Sequence, residues 1–402
     1  MSAAAATFTK DAKETAVLTP GELMEEAAAR TGLTEFGDDS FTEGLSVLLS
    51  ALRDEAHLNE RGEAFLRQRI AGYLSQRLQV EDWFRRHPEI GDVPIREPLV
   101  GLGLPRTGST ALSMLLAQDP EVRYLRRWES TQPCPPPSTV HGVDPRVPAD
   151  QGEVVGTRRH VPGDTHGPME CHELMALDFK SHIFQSFAEI PSYSTWLVEH
   201  ADLAPTFRYQ RRVMQLLQWG EPERPWRLKC PSHVLWLGAL DAAFPDARFV
   251  MTHRDPTDVL LSVADLYADI IGSFNTRVDR RYIGRLNVEH WSLGMDRALQ
   301  FRAAGADDRF YDIDFRAMQA DPVGEVAGLY AWLGAPVSDE FEARMHSWWE
   351  HAAAEREPSS HADPVEFGID LDEVRPRFAR YVKSARRWTR HGNVRSETSN
   401  GG

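Results

Sequence analysis

Cysteine is scarce in this chain of 402 residues: there are three, Cys134, Cys171 and Cys230, and no CxxC pair. So odd and scattered a set suggests neither a disulfide framework nor a thiolate zinc site, and fits a reducing compartment. Long apolar runs are missing too. No stretch approaches the ~20 apolar residues that span a bilayer, so membrane insertion is not expected. Met1 to Lys13 lacks the basic segment and the roughly 7–15-residue apolar run of a secretory signal, which makes the cytoplasm the expected location. Cations are the minority charge, 45 Lys+Arg against 60 Asp+Glu, for a net charge of −15. A surface of that sign repels phosphate backbones and anionic lipid, so neither nucleic acid nor a membrane is an expected partner.

What is present reads as a folded globule. With 42% hydrophobic and 26% charged residues the chain is long enough for one large domain or one domain with a substantial appendage. From Pro20 to about His87 the spacing is helical: Leu45, Leu48, Leu49 and Leu52 form one stripe, and Leu66, Ile70, Leu74 and Leu78 recur every four residues. The pattern changes at Pro94, where an aliphatic run around Leu99-Val100-Gly101-Leu102 enters a Gly/Pro-punctuated loop. Further strands are predicted at 248–252 and 309–313, and a short one at Trp226-Arg227-Leu228-Lys229, separated by segments of helical spacing. Strands alternating with helices imply an α/β fold: a mostly parallel, P-loop-like sheet flanked by helices, under an N-terminal helical layer. The expected division is a helical region over 1–93, an α/β domain over 94–392 and a flexible tail over 393–402, with a proline-rich ordered loop or lid from Gln132 to Pro148. No internal repeat occurs.

The most informative stretch is Gly103-Leu104-Pro105-Arg106-Thr107-Gly108-Ser109-Thr110, which follows a predicted strand and opens an amphipathic helix. Glycines let the backbone wrap an oxyanion, the amides point inward, and the helix dipole adds positive potential. A plain glycine turn before a core helix is the competing explanation, and the strand-loop-helix context weakens it. The spacing is that of a Walker A loop except that Ser109 stands where the lysine belongs. Without that lysine, nucleoside triphosphate hydrolysis is disfavoured, while Arg106 still supplies a fixed cation for a smaller anionic group.

A second anion element follows at Thr252-His253-Arg254-Asp255-Pro256, with Ser262 eight residues after Arg254 on a helix. A guanidinium and a hydroxyl together suit a phosphate monoester. Taken singly, Arg254 reads as an ion-paired surface residue and Ser262 as a neutral helix residue. In this order and spacing the two elements resemble those of the 3′-phosphoadenosine 5′-phosphosulfate (PAPS)-dependent sulfotransferases. The resemblance covers about Leu99 to Leu333, includes Trp226 to His233, Ala243 to Arg248 and Asp321-Pro322, and is closest to the bacterial branch and to the tyrosylprotein sulfotransferases.

The resemblance implies transfer of a sulfuryl group from PAPS to a small-molecule hydroxyl or amine by in-line displacement, with release of 3′-phosphoadenosine 5′-phosphate (PAP). Arg106, Thr107, Gly108, Ser109 and Thr110 would hold the 5′-phosphosulfate, and Arg254 and Ser262 the 3′-phosphate. Lys229 matches the lysine that steadies the leaving group. For the base, Glu129 corresponds to the family's glutamate with two extra residues intervening. His233 and the cluster Glu170-Cys171-His172-Glu173 are rivals, since a histidine with a pKa near ~6.5 needs no retuning at neutral pH. No metal is expected: His160, His166, Cys171, His172 and Glu173 match no zinc spacing. Phe179, Phe184, Phe187, Tyr193 and Trp196 read as core rather than as an acceptor pocket. The alternatives are a non-catalytic nucleotide-binding protein on the same fold, and a small-molecule P-loop kinase, which would need the missing lysine and an acidic residue for Mg²⁺. Nothing in the sequence specifies the acceptor or an oligomeric state.

Overall fold

The computed structural model describes residues 19–147, 166–354 and 362–397. Three helices open it: α1 (Pro20–Thr31), α2 (Ser40–Asp54) and α3 (Glu60–Arg86). Their limits are set locally. Thr19 accepts from the Glu22 amide and Glu22 answers through the Thr19 amide, while Gly32, at φ 71°, ends α1 in the left-handed region. The Asn59 side chain caps α3 by accepting from the Gly62 amide. The leucine stripes predicted from spacing are buried, with Leu52 at their half-buried edge.

The sheet follows, with strands β1 (Leu99–Leu102), β2 (Arg123–Tyr124), β3 (Trp226–Lys229), β4 (Arg248–His253) and β5 (Phe310–Asp314). The order is β2-β3-β1-β4-β5 and every pair is parallel. Of these strands β2 has no counterpart in the sequence reading, being too short to carry a periodic signal. Side chains alternate between two apolar layers. Leu99, Val250 and Ile313 face one layer, while Val100, Phe249 and Met251 face the other, so both sides of the sheet are covered.

The connecting helices are α4 (Ser109–Leu116), α5 (Arg127–Thr131), α6 (His172–Ala176), α7 (Pro191–Glu199), α8 (Ala204–Gln218), α9 (Leu237–Ala243), α10 (Pro256–Phe274), α11 (Arg280–Phe301), α12 (Phe315–Ala320), α13 (Pro322–Leu333), α14 (Asp339–Ala354), α15 (Leu371–Arg377) and α16 (Ala379–Glu397). The smaller layer packs α4, α13 and α14 on the sheet; the larger joins it to α1, α2 and α3. Residues 132–147 form the predicted proline-rich loop with one 3₁₀ turn at Pro137–Thr139; Pro148 lies outside the described residues. The last helix runs to Glu397, and 398–402 of the expected tail also lie outside them. No described helix is long and apolar enough to cross a membrane. Phe179, Phe184 and Tyr193 are fully buried and Trp196 packs against the same core, as their spacing implied.

One buried charge cluster fastens the N-terminal layer to the sheet domain. Asp178 accepts from Ser40 Oγ of α2 and Thr206 Oγ1 of α8, each at 2.7 Å, and lies 3.5 Å from Arg77 of α3 and 3.3 Å from Lys180. Arg77 in turn donates to the Phe36, Asp38 and Leu177 carbonyls and lies between the Phe41 and Tyr209 rings. Removing one member of such a set leaves the others buried and uncompensated. Asp178→Ala is therefore expected to cost about 3–5 kcal/mol in urea unfolding; a loss below about 1 kcal/mol would show that the cluster does not hold the layers together.

Candidate active site

The site lies at the carboxyl ends of the strands, where a parallel sheet presents its loops. The 103–108 turn leaves β1 with Gly103 at φ 124°, Arg106 at 60° and Gly108 at 89°. A Cβ on Gly103 would stand 3.1 Å from Met251 of β4, so the turn is closed against its neighbour strand and needs glycine there. Gly108 precedes α4 and supplies no side-chain cap, so the first turn of that helix has no capping side chain at its N-terminus. Thr107 is turned inward: its hydroxyl donates to the Leu104 carbonyl at 2.8 Å and shares a 2.6 Å hydrogen bond with Thr252 Oγ1. Its side chain shapes the loop from within.

Arg106, Arg254 and Ser262 converge. Arg106 Nε donates to Ser262 Oγ at 3.0 Å, and Arg254 Nη1 donates to the Arg106 carbonyl at 3.2 Å. Arg254 also stacks on Phe315, 4.7 Å from the ring centre, with Asp258 3.7 Å away. The next residue back, His253, is buried and bonded to Tyr381 and Asp312, which fixes the end of β4 from which Arg254 springs. The two anion elements thus form one continuous patch.

Lys229 is the last residue of β3, opposite Gly101 of β1. It is buried, and its Nζ donates to Thr110 Oγ1 at 3.3 Å and to Glu170 Oε1 at 2.5 Å. Glu170 arrives from a distant loop. The Arg127 amide donates to the Gly167 carbonyl, the Met169 amide to Leu125, and the Cys171 amide to Lys229, which lays residues 167–171 across the ends of β2 and β3. The second Glu170 oxygen lies 3.0 Å from His172 Nδ1, and His172 Nε2 lies 2.8 Å from Ser232 Oγ. Burial works against the Glu170 charge, yet Lys229 and His172 overcome it and hold the carboxyl well below the usual range. For His172, burial favours the neutral ring, but Cys230 and Glu170 push it up to about 10.

The other two candidates for the base lie apart from this contact. Glu129 is fully buried, paired with Arg123 Nη2 at 2.9 Å and Arg126 Nη1 at 3.3 Å, and it accepts from the Arg126 amide at the start of α5. None of these partners belongs to the 103–110 loop. His233 is also fully buried, against Phe207; neither ring nitrogen has a hydrogen-bond partner, and burial pushes its pKa down to about 3. Glu170, a secondary candidate in the sequence reading, is the carboxylate on Lys229. Its signal was its place beside a histidine in a loop; the missing information was the long-range backbone pairing. Among the described residues no group of three or more His, Cys, Asp or Glu side chains could hold a metal, and His160 lies outside those residues.

The sequence profile of the sulfotransferase family matches residues 98–339. No curated protein matches the sequence. Among solved structures, the chain is similar to sulfotransferase STF9 from Mycobacterium avium, at 33% identity over 92% of this chain and 97% of that one, with a TM-score of 0.85. It is also similar to sulfotransferase STF1 from Mycobacterium tuberculosis H37Rv, at 31% identity over 90% and 99%, with a TM-score of 0.79. Both matches extend well beyond the family profile, over much of the N-terminal layer.

The raised pKa of His172 has a definite sign for stability. The folded chain keeps a proton that the unfolded chain releases near ~6.5, so the contribution is complete below ~6.5 and is lost as pH climbs toward about 10. Urea unfolding at intervals between those values should show wild-type stability falling more steeply than that of His172→Gln. Parallel curves would place the proton elsewhere.

Proposed function

The chain belongs to the sulfotransferase family and is an enzyme of sulfuryl transfer; from that premise we propose that it takes the group from PAPS and passes it to a small-molecule hydroxyl or amine, with Lys229 serving the leaving group and Glu170 the acceptor. PAPS supplies a sulfuryl group already bonded to a phosphate that can depart. The contact that carries this reading is Lys229 Nζ, set between Thr110 of the anion loop and Glu170.

Each residue then has a definite task. The 103–110 loop, through Arg106 and the Thr107 to Thr110 amides, holds the phosphosulfate end, while Arg254 and Ser262 take the 3′-phosphate. The fit is supported by the uncapped start of α4 and by the meeting of Arg106, Arg254 and Ser262 in one patch. As the acceptor oxygen bonds to sulfur and the bond from sulfur to phosphate breaks, Lys229 meets the charge gathering on the departing oxygen. Glu170 accepts the acceptor's proton.

Glu170 is a weak base while Lys229 sits on it. When Lys229 turns to the donor, the carboxylate loses one of its two cationic neighbours and its affinity for a proton rises. The base is thereby held in check until the donor is in place. His172 has both ring nitrogens engaged, by Glu170 and Ser232, which suits an orienting role better than proton acceptance. Glu129 has no comparable access. The absence of a metal requirement remains part of the proposal, because fixed cations suffice for this displacement. The three cysteines, buried and unpaired, support the cytoplasmic location.

Glu170→Gln keeps the shape and removes the proton acceptor. With labelled PAPS and a panel of phenol, sterol, sugar and amine acceptors, this variant should lose ~10²–10⁴-fold in kcat while PAP affinity by calorimetry stays within a few-fold of wild type. Full activity in Glu170→Gln with a collapse in Glu129→Gln would return the role to Glu129.

A further inference from the structure

Helix α3 presents Arg69, Tyr73 and Arg77 at four-residue intervals, one face of three turns. Arg77 holds the Asp178 end of the segment that follows Glu170. Arg69 and Tyr73 hold its beginning: Arg69 Nη2 and Tyr73 Oη both donate to the carboxylate of Glu173, the latter at 2.7 Å. Glu173 is almost completely buried, on the first turn of α6 and next in the chain to His172. The Arg69 guanidinium lies over the Phe65, Tyr73 and Phe187 rings, 5.3–5.5 Å from their centres, so the clamp is packed as well as bonded.

We infer that Arg69 and Tyr73 are positioning residues for sulfuryl transfer: through Glu173 they fix the first turn of α6 and so hold His172 between Glu170 and Ser232. Helix α6 has five residues and its N-cap, Cys171, makes no side-chain cap hydrogen bond, so it has little intrinsic stability with which to hold His172 itself. The orientation is imposed from α3, an element outside the 98–339 span of the family profile. The N-terminal layer is thus part of the catalytic apparatus and not only a cover over the sheet. This inference rests on the proposed role of Glu170, which His172 orients.

The titratable groups that face His172 are Glu170 on its own segment, Cys230 beyond β3, His233 on the following turn, and His182, whose ring centre is 6.3 Å away. Lys229 reaches the ring only through Glu170. A change confined to α3 therefore alters His172 by moving α6, with none of these neighbours substituted.

The test uses Tyr73→Phe, Arg69→Lys and Arg69→Met in the full chain, with ring-nitrogen NMR of His172 in ¹⁵N-histidine protein, assigned through His172→Gln. Tyr73→Phe and Arg69→Met are expected to shift the His172 resonances and lower kcat about 10–100-fold, the scale of a small misplacement, while PAP affinity stays within twofold. Arg69→Lys should recover part of the loss. Unchanged resonances and kcat in folded Tyr73→Phe would overturn the inference. So would equal losses of kcat and PAP affinity, since these would mark a general structural role. If Arg69→Met fails to fold, Tyr73→Phe and Arg69→Lys decide alone. Should Glu170→Gln prove fully active while Tyr73→Phe still moves the His172 signal and lowers kcat, the clamp stands and the assignment of Glu170 falls.

Discussion

Three backbone hydrogen bonds lay residues 167–171 across the ends of β2 and β3, and the last of them, from the Cys171 amide to the Lys229 carbonyl at 3.2 Å, ties the two catalytic candidates into one frame. Glu170 precedes the donor of that bond and Lys229 provides its acceptor, so their side chains meet over the strand ends. The parallel register adds the third component. Gly101 lies opposite Lys229, which places the turn after β1 and its helix α4 beside the same ammonium group. The 167–171 crossing is what brings a carboxylate to Lys229 beside the anion loop.

The electrostatics follow from that frame. A chain of net charge −15 gathers Arg106, Lys229 and Arg254 at the carboxyl ends of its inner strands. Each has a local partner: Ser262 for Arg106, Glu170 for Lys229, the Arg106 carbonyl for Arg254. In the proposed reaction a polyanionic donor takes over these cations. In that proposal the exchange at Lys229 also raises the basicity of Glu170 once the donor is in place.

Much of the architecture was legible in the sequence because it is decided locally. The limits of α1 follow from Thr19, Pro20, Glu22 and Gly32. The anion loop was legible in the glycines at 103 and 108, which take positive φ, and the parallel sheet in strands alternating with helices. Arg254 and Ser262 were legible by spacing, and the structure brings them to Arg106. The environment of Glu129 was not legible. The family resemblance pointed to that residue, whereas its carboxylate is enclosed by Arg123 and Arg126, an arrangement that depends on where the two-residue strand β2 pairs. Glu170 shows the converse. It comes from a loop without periodicity, and its approach to Lys229 depends on contacts between residues 59 positions apart. The clamp from α3 spans 104 residues between Arg69 and Glu173, and nothing in the local sequence of either announces the other.

The central claim is that sulfuryl transfer from PAPS depends on the ammonium group of Lys229, and its most direct measurement is single-turnover transfer of ³⁵S from labelled PAPS by wild type and Lys229→Met, with PAP binding measured on both. The account predicts PAP-inhibitable transfer by wild type, and a Lys229→Met protein that still binds PAP but transfers label at least ~10²-fold more slowly. Transfer by Lys229→Met at the wild-type rate, or a wild-type protein that neither binds PAP nor transfers label to any acceptor, would contradict it.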